Sequence, residues 1–235
     1  MGLFDRPIFH PEGPTFRELA VQALSSTDRG YDLLAPKFEY TPFRTPDPVI
    51  ETSLRRCRGL SAALDLCCGT GAGLRALEGR AERVVGIDRS AGMLAEARRH
   101  VPNAELHQGD VLNLPSELRG EFDLVTCYGA FGHILEADEA KFVASVHAAL
   151  RPGGRFVFVT TEPPRWTSSA LWVARGFNAV MRVRNALLRP AFIMYYLTFL
   201  LPRATRLLED AGFEVRVFRD FPAPYERLLT VEATR

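Results

Sequence analysis

Five short apolar runs recur along the middle of this chain, and a stretch of helical character follows most of them. The runs are AALDL (62–66), RVVGI (83–87), AELHQ (104–108), FDLVTC (122–127) and RFVFVT (155–160). All have strand length and carry β-branched or aromatic residues. Between them lie GLRALEG, the amphipathic SAGMLAEARRH and ADEAKFVASVHAALRPGG. The last is expected to end as a helix at Pro152-Gly153-Gly154. Neighbouring parallel strands need a crossover, and a helix is the usual one, so this alternation predicts an α/β fold with a parallel, doubly wound sheet. A second αβ pair, ATRLLEDAGFEVRVF (204–218) followed by ERLLTVEATR (226–235), closes the chain.

At 235 residues the chain suits one sizeable core. Its charged content of 24% and net charge of +1 lack the basic excess of a nucleic-acid binder. Cys57, Cys67, Cys68 and Cys127 show no zinc spacing and are too few for a disulfide framework, so reduced thiols, no metal and a cytoplasmic location are expected. The start, MGLFDRPIFHPEGPTF, lacks the positive charge and long apolar run of a secretion signal. Gly2 is not followed by Ser or Thr at position six, which is Arg6, so a myristoylation motif fails. The most apolar window, AFIMYYLTFLLP (191–202), is too short to span a bilayer.

Two segments depart from the alternating pattern. Residues 1–50 are rich in proline and aromatics; they predict one helix around Thr15–Leu34 and then extended chain through EYTPFRTPDPV, where prolines forbid a continued helix. Residues 162–203 are too long for a simple connection and read as an inserted helical cap. From Pro163 to Leu208 there is no Asp, Glu or Lys, yet Arg165, Arg175, Arg182, Arg184, Arg189, Arg203 and Arg206 fall there, interleaved with Trp166, Trp172, Phe177, Phe192, Tyr195, Tyr196 and Phe199. Three readings stay open. The segment is a cap with its arginines in solvent, the wall of a pocket for an aromatic or acyl small molecule, or a basic amphipathic surface for an anionic membrane or nucleic acid.

The ligand site is expected where LDLCCGTGAG (64–73) turns from the first strand into the first helix, because open α/β sheets bind beyond the carboxyl ends of their strands. The loop is GxGxG. It is neither the GxGxxG of a dinucleotide fingerprint nor the GK[ST] of a phosphate cradle. Asp65 sits just before the glycines, where it repels a pyrophosphate and attracts an ammonium group. Asp88 ends the second strand and can accept from both ribose hydroxyls. Asp110 follows the third and can accept from an exocyclic amine. An ammonium, a ribose and an adenine without phosphate describe S-adenosylmethionine.

In order and spacing, DLCCGTGAG, VVGIDRSAGMLAEAR, HQGDVLNLP, FDLVTCYGAFGHI and LRPGGRFVF resemble the motif set of class I S-adenosylmethionine-dependent methyltransferases. The resemblance covers about 60–160 closely and the closing αβ–β loosely. It implies a Rossmann-like, seven-stranded sheet whose last strand is antiparallel, built from 51–161 and 204–235, with 1–50 as helix and lid and 162–203 as the cap. One position departs: the family usually has glycine where Cys67 stands. By the same resemblance, Asp65 and the backbone of Cys67, Gly69 and Gly71 face the methionyl part of the cofactor, and Asp88 faces the ribose. Arg89 and Met93 flank ribose and adenine, Gly109, Asp110 and Val111 read the adenine edge, and Cys127 offers a backbone contact. The stretch YDLLAPKFEYTPFRTP (31–46) is similar to the family's lid, with Tyr31, Tyr40 and Arg44 as its candidates; the competing reading is a packed, proline-rich tether.

Methyl transfer from a sulfonium needs a positioned acceptor, and a base only where the acceptor must lose a proton. His133 in CYGAFGHI (127–134) matches a position that is often histidine, and Tyr128 stands beside the expected methyl path. Capping or packing under the loop is the competing role for His133. The expected function is methyl transfer to a small aromatic, acyl or specialised metabolite, leaving S-adenosylhomocysteine. A non-catalytic S-adenosylmethionine-binding protein and an RNA methyltransferase are the alternatives. The expected partners are the acceptor and a weak membrane or lipid contact through 163–208, with no nucleic acid, in a monomer or homodimer.

Overall fold

The computed structural model describes residues 6–235; residues 1–5, where the signal and myristoylation readings begin, lie outside the described residues. Strands β1 (Leu60–Leu66), β2 (Ala81–Asp88), β3 (Glu105–Gln108), β4 (Phe122–Cys127), β5 (Leu150–Thr161), β6 (Glu214–Phe218) and β7 (Leu228–Thr234) form one sheet in the order β3-β2-β1-β4-β5-β7-β6. The first five are mutually parallel. β7 runs antiparallel to both its neighbours. A short return from β6 allows this, whereas a parallel strand would need a crossover. Every residue of β4 is buried, and β1 is buried except at one position, as expected of strands covered on both faces.

Helices α4 (Ala72–Leu77), α5 (Ala91–His100) and α6 (Glu139–Ala149) supply crossovers. Ser90 caps α5 by accepting from the Met93 N–H at 3.0 Å, and Arg98, Arg99 and His100 sit in its last turn, where cations suit the helix dipole. On one face of the sheet the core is aromatic: Phe142, Phe156, Phe158 and Phe199 are buried, and Phe131 stacks on Phe199 at 4.6 Å between centroids. On the other face Ile50, Leu54, Leu74, Leu77 and Leu94 pack together. Strand order reverses between β1 and β4, so the crevice beyond their carboxyl ends is where this topology holds a ligand.

Three local expectations are corrected. The helix expected over 15–34 is two, α1 (Phe16–Leu24) and α2 (Thr27–Leu34), because Ser26 leaves the helix and accepts from the Arg29 N–H to start a new one. The extended stretch expected after it instead holds a tight 3₁₀ turn over Ala35–Tyr40 and helix α3 (Asp47–Ser53). Pro48 falls in the first turn of α3, where its missing N–H costs nothing. The third concerns α6, which stops at Ala149 rather than at Pro152-Gly153-Gly154. Those residues belong to β5, and Gly153 and Gly154 exchange backbone hydrogen bonds with Arg235. Between β5 and α8 (Leu201–Asp210), the chain forms the long helix α7 (Ser169–Leu187) and an irregular return.

Candidate active site

The glycine loop owes its shape to three left-handed residues. After β1 the chain passes through Cys67 (φ +54°), Gly69 (φ +54°) and Gly71 (φ +93°) into α4. Glycine adopts such angles freely; Cys67 does so under strain. Asp88, at the end of β2, ties the loop down: its Oδ2 accepts from the Gly69 N–H at 2.9 Å and its Oδ1 from the Ser90 N–H at 2.9 Å. Burial pushes its carboxyl up, against the pull of these backbone donors. Asp65 is fully buried and accepts from Thr126 Oγ1 at 2.7 Å; burial pushes it up to about 7, with the Asp88 charge adding to the effect. Its other oxygen lies against the first turn of α4, and a Cβ on Gly73 would collide with it. Only glycine leaves room for this carboxylate. Asp110 spends one oxygen on the Leu112 N–H at 2.9 Å.

Across the crevice stands His133. Its Nδ1 lies 2.6 Å from the carbonyl oxygen of Ile193, which only accepts, so Nδ1 carries the proton. Its Nε2 is then the acceptor for the Tyr31 hydroxyl at 2.8 Å. Burial lowers the His133 pKa, opposed by the Ile193 bond, and keeps the ring neutral. Burial, with the Asp88 charge, pushes Tyr31 upward, so its hydroxyl stays protonated. These three residues come from α2, the loop after β4, and the return after α7. The N-terminal segment is also fastened over the loop. Asp32 accepts from Ser90 Oγ at 2.6 Å and from the Gly92 N–H at 2.8 Å, while Glu39 accepts from Thr70 and from Arg75 and pairs with Arg44 at 3.0 Å.

The result is one cavity of about 260 Å³, open to solvent, with the three acids and the loop on one side and His133, Tyr31, Phe38, Phe43 and Ile193 on the other. The donor set suits an amino acid joined to a nucleoside: buried carboxylates for an ammonium and hydroxyls, and no phosphate cradle.

A methyltransferase-domain family model matches residues 63–154. The chain is 30% identical over 178 residues to a probable S-adenosylmethionine-dependent methyltransferase of Mycolicibacterium smegmatis, covering 74% of this chain and 59% of that one. Among solved structures, a complex of DhpI with S-adenosylhomocysteine superposes with a TM-score of 0.64 at 24% identity, covering 92% of this chain and 97% of that one. A ubiquinone biosynthesis O-methyltransferase of Acinetobacter baumannii is 30% identical over 166 residues, covering 65% of this chain and 68% of that one. The chain belongs to the class I S-adenosylmethionine-dependent methyltransferases. It spans about half to three-fifths of the length of the first curated relatives it matches.

In this chain the cavity gathers Arg44, Asp65, Cys67, Gly69, Asp88 and Arg89 from the expected residues. Met93, Asp110, Val111, Tyr128 and His133 border it as well. Four do not. Tyr40 ends the 3₁₀ turn pointing outward, stacked on His10 at 4.8 Å and bonded to Glu12. Gly71 backs onto Ala97 and Val101 of the neighbouring helix region, and Gly109 is held to the Asp88 carbonyl at 2.9 Å. Cys127 is paired on both sides, with Leu66 and Phe158, so its place is in the sheet beneath the loop. Hydrogen bonding to Cys67, with burial, pushes its thiol well up. Tyr128 borders the cavity, but its hydroxyl is committed to Ser53 Oγ at 2.8 Å. Arg89 reaches Asp28 at 2.9 Å. Ile193 was missed by sequence reasoning, because a backbone carbonyl in an irregular segment leaves no mark in the residue types. Among the described residues no cluster of His, Cys, Asp or Glu is arranged to hold a metal, and all four cysteines are free.

Proposed function

We propose that this chain moves the methyl group of S-adenosylmethionine to a hydroxyl of a small apolar acceptor, aromatic or acyl-bearing. The observation that carries the reading is the two-sided cavity: buried acids and a glycine loop face a neutral histidine that is set among aromatic and aliphatic side chains. When bound, the cofactor supplies an electrophilic methyl group; the protein supplies position, dryness and a place for a proton.

Asp65 is the partner for the cofactor's ammonium, Arg44 for its carboxylate, Asp88 for the ribose and Asp110 for the adenine amine. Residues 31–46 act as the lid. The Ile193 carbonyl holds His133 with Nε2 free of a proton, and Tyr31 presents its hydroxyl to that nitrogen. An acceptor hydroxyl bonded to the Tyr31 oxygen can pass its proton there while Tyr31 passes its own to Nε2. The imidazolium that forms keeps its Nδ1–H on Ile193. A name found among the relatives, ubiquinone biosynthesis O-methyltransferase, is in keeping with a phenolic acceptor carrying an apolar tail.

Calorimetry with S-adenosylmethionine and S-adenosylhomocysteine tests the cofactor half. Binding of NADH in their place would overturn it. Transfer of labelled methyl to a panel of catechols, with and without a prenyl tail, tests the acceptor half. Binding without transfer to any phenol, enol or acid would favour a non-catalytic cofactor-binding role.

A further inference from the structure

Helix α7 has an inward and an outward face, and the methyl-transfer site uses only the first. Inward, Asn178 exchanges two hydrogen bonds of 2.8 Å with the backbone of Tyr196, and Asn185 exchanges two of 2.9 Å with that of Phe192. Seven residues apart, these asparagines clamp the returning chain that carries Ile193 to His133. The Arg184 guanidinium donates to the Ser25 carbonyl at 3.0 Å, joining α7 to the end of α1.

Outward, the helix is apolar. Trp172, Val173, Gly176, Ala179, Val180, Val183, Ala186 and Leu187 are all exposed, Val173 at 72%, Val180 at 66% and Leu187 at 77%. Positions 173, 176, 180, 183 and 187 follow the three-four spacing of one helical stripe. An apolar stripe along a 19-residue helix is not an ordinary solvent face. Beside it lie Arg175 and Arg182, with Arg165 and Arg189 just beyond the two ends, all exposed and none paired with a carboxylate among the described residues. Arg175 lies over Trp166 at 4.6 Å and Trp172 at 5.5 Å, so two exposed indoles and a cation share one end of the stripe. No acidic residue occurs from 163 to 208.

We propose that the outward face of α7 seats the protein on an anionic lipid surface, with the stripe in the headgroup boundary and the arginines on lipid phosphates. Charge decides between this and a second copy. Two α7 faces packed about a two-fold axis would gather the arginines of both copies with no acid on either, whereas an anionic bilayer neutralises them. Indole rings suit that boundary, and long arginine side chains reach out of it. The helix lies on the surface, since no described helix is long and apolar enough to cross a membrane. For its use, though not for its binding, the proposal rests on the apolar-acceptor reading: the asparagine clamp connects the docked helix to the cavity wall, so an acceptor dissolved in the bilayer is presented beside its site.

Flotation of the full chain, without cofactor, with vesicles of phosphatidylcholine alone or mixed with phosphatidylglycerol tests it. Binding to the mixed vesicles should exceed binding to the neutral ones by at least about tenfold and should fall with added salt. Arg175→Gln with Arg182→Gln should lose most of that preference. Val180→Ser with Leu187→Ser should weaken binding to both, and circular dichroism checks that each exposed variant keeps the wild-type fold. Equal or absent flotation on both vesicle types would overturn the proposal. So would a dimer that forms by sedimentation, dissociates in V180S/L187S and leaves no vesicle binding. Because no cofactor is present, a failed methyl-transfer assay with intact flotation would count against the acceptor reading and not against this one.

Discussion

Asp65→Asn should make the ligand-free protein more stable at pH 8 while damaging cofactor binding. The Asp65 carboxyl titrates at about 7 in the fold against an ordinary 3.8, and burial is the main cause. A raised carboxyl pKa means that the native state holds its proton more tightly than the unfolded chain. The associated stability is fully present below pH 3.8 and is lost as pH rises through 7. At about 1.4 kcal/mol per pKa unit, the charged carboxylate costs the apo fold about 4 kcal/mol above pH 7, as an upper bound. Asparagine keeps an oxygen for Thr126 Oγ1 and carries no charge, so the gain at pH 8 should be about 2–4 kcal/mol and should vanish near pH 4. Urea unfolding of both proteins across that range isolates Asp65, because every other group titrates in both. S-adenosylmethionine affinity of the variant should fall at pH 8, where wild type offers a carboxylate to the ammonium. A variant less stable than wild type at pH 8, or a difference flat with pH, would refute the account that the site keeps a costly charge for its ligand.

Asp88→Ala removes the acceptor of the Gly69 and Ser90 N–H groups as well as the proposed ribose contact, so calorimetry should show cofactor affinity weakened by at least roughly 1–3 kcal/mol; unchanged affinity would dismiss the ribose assignment. Cys67→Gly relieves a left-handed residue, a gain of roughly 1–2 kcal/mol offset by about 0.5–1 from glycine's looser unfolded chain, so thermal unfolding should show a small net stabilisation. His133→Gln should cut turnover by roughly 10²–10⁴ and leave S-adenosylhomocysteine binding intact, and Tyr31→Phe should cost less. In wild type the acidic limb of kcat should lie below the ordinary histidine value of 6.5, because burial lowers the His133 pKa; a limb at or above 6.5 would contradict the neutral, buried ring.

What could be read from the residues, and what could not, divides along physical lines. Central strands announce themselves because both their faces are buried, and their alternation with helices leaves few topologies. Asp65, Asp88 and Asp110 were legible because each stands at a strand end, where the fold turns side chains toward one crevice. The meaning of the Cys67 departure was not legible until its φ of +54° was known: the place calls for glycine because of its backbone angle. Tyr40 faces His10 rather than the cavity because one residue's phase in a tight turn decides between the two. The break at Ser25-Ser26 and the start of α3 at Asp47 hinge on caps and a first-turn proline, local signals that a broad apolar pattern overrides.

The two walls of the cavity are assembled by different means, and on the proposed reading this bears on specificity. Asp65, Cys67, Gly69, Asp88 and Asp110 lie on β1 to β3 and the turns that follow them, inside the stretch that matches the family. His133 also lies there, yet its state is set from outside: Tyr31 is 102 positions away and Ile193 is 60. Those two outside segments also hold each other, since the Ile193 N–H donates to Thr27 Oγ1 at 2.7 Å, and a Cβ on Gly30 would meet the Phe192 ring at 2.8 Å. The Asn185 clamp on Phe192 thus supports the Ile193 carbonyl that faces His133, while Asp65, Asp88 and Asp110 lie outside it. A family sharing one cofactor can in this way vary its acceptor through segments that carry none of the shared motifs.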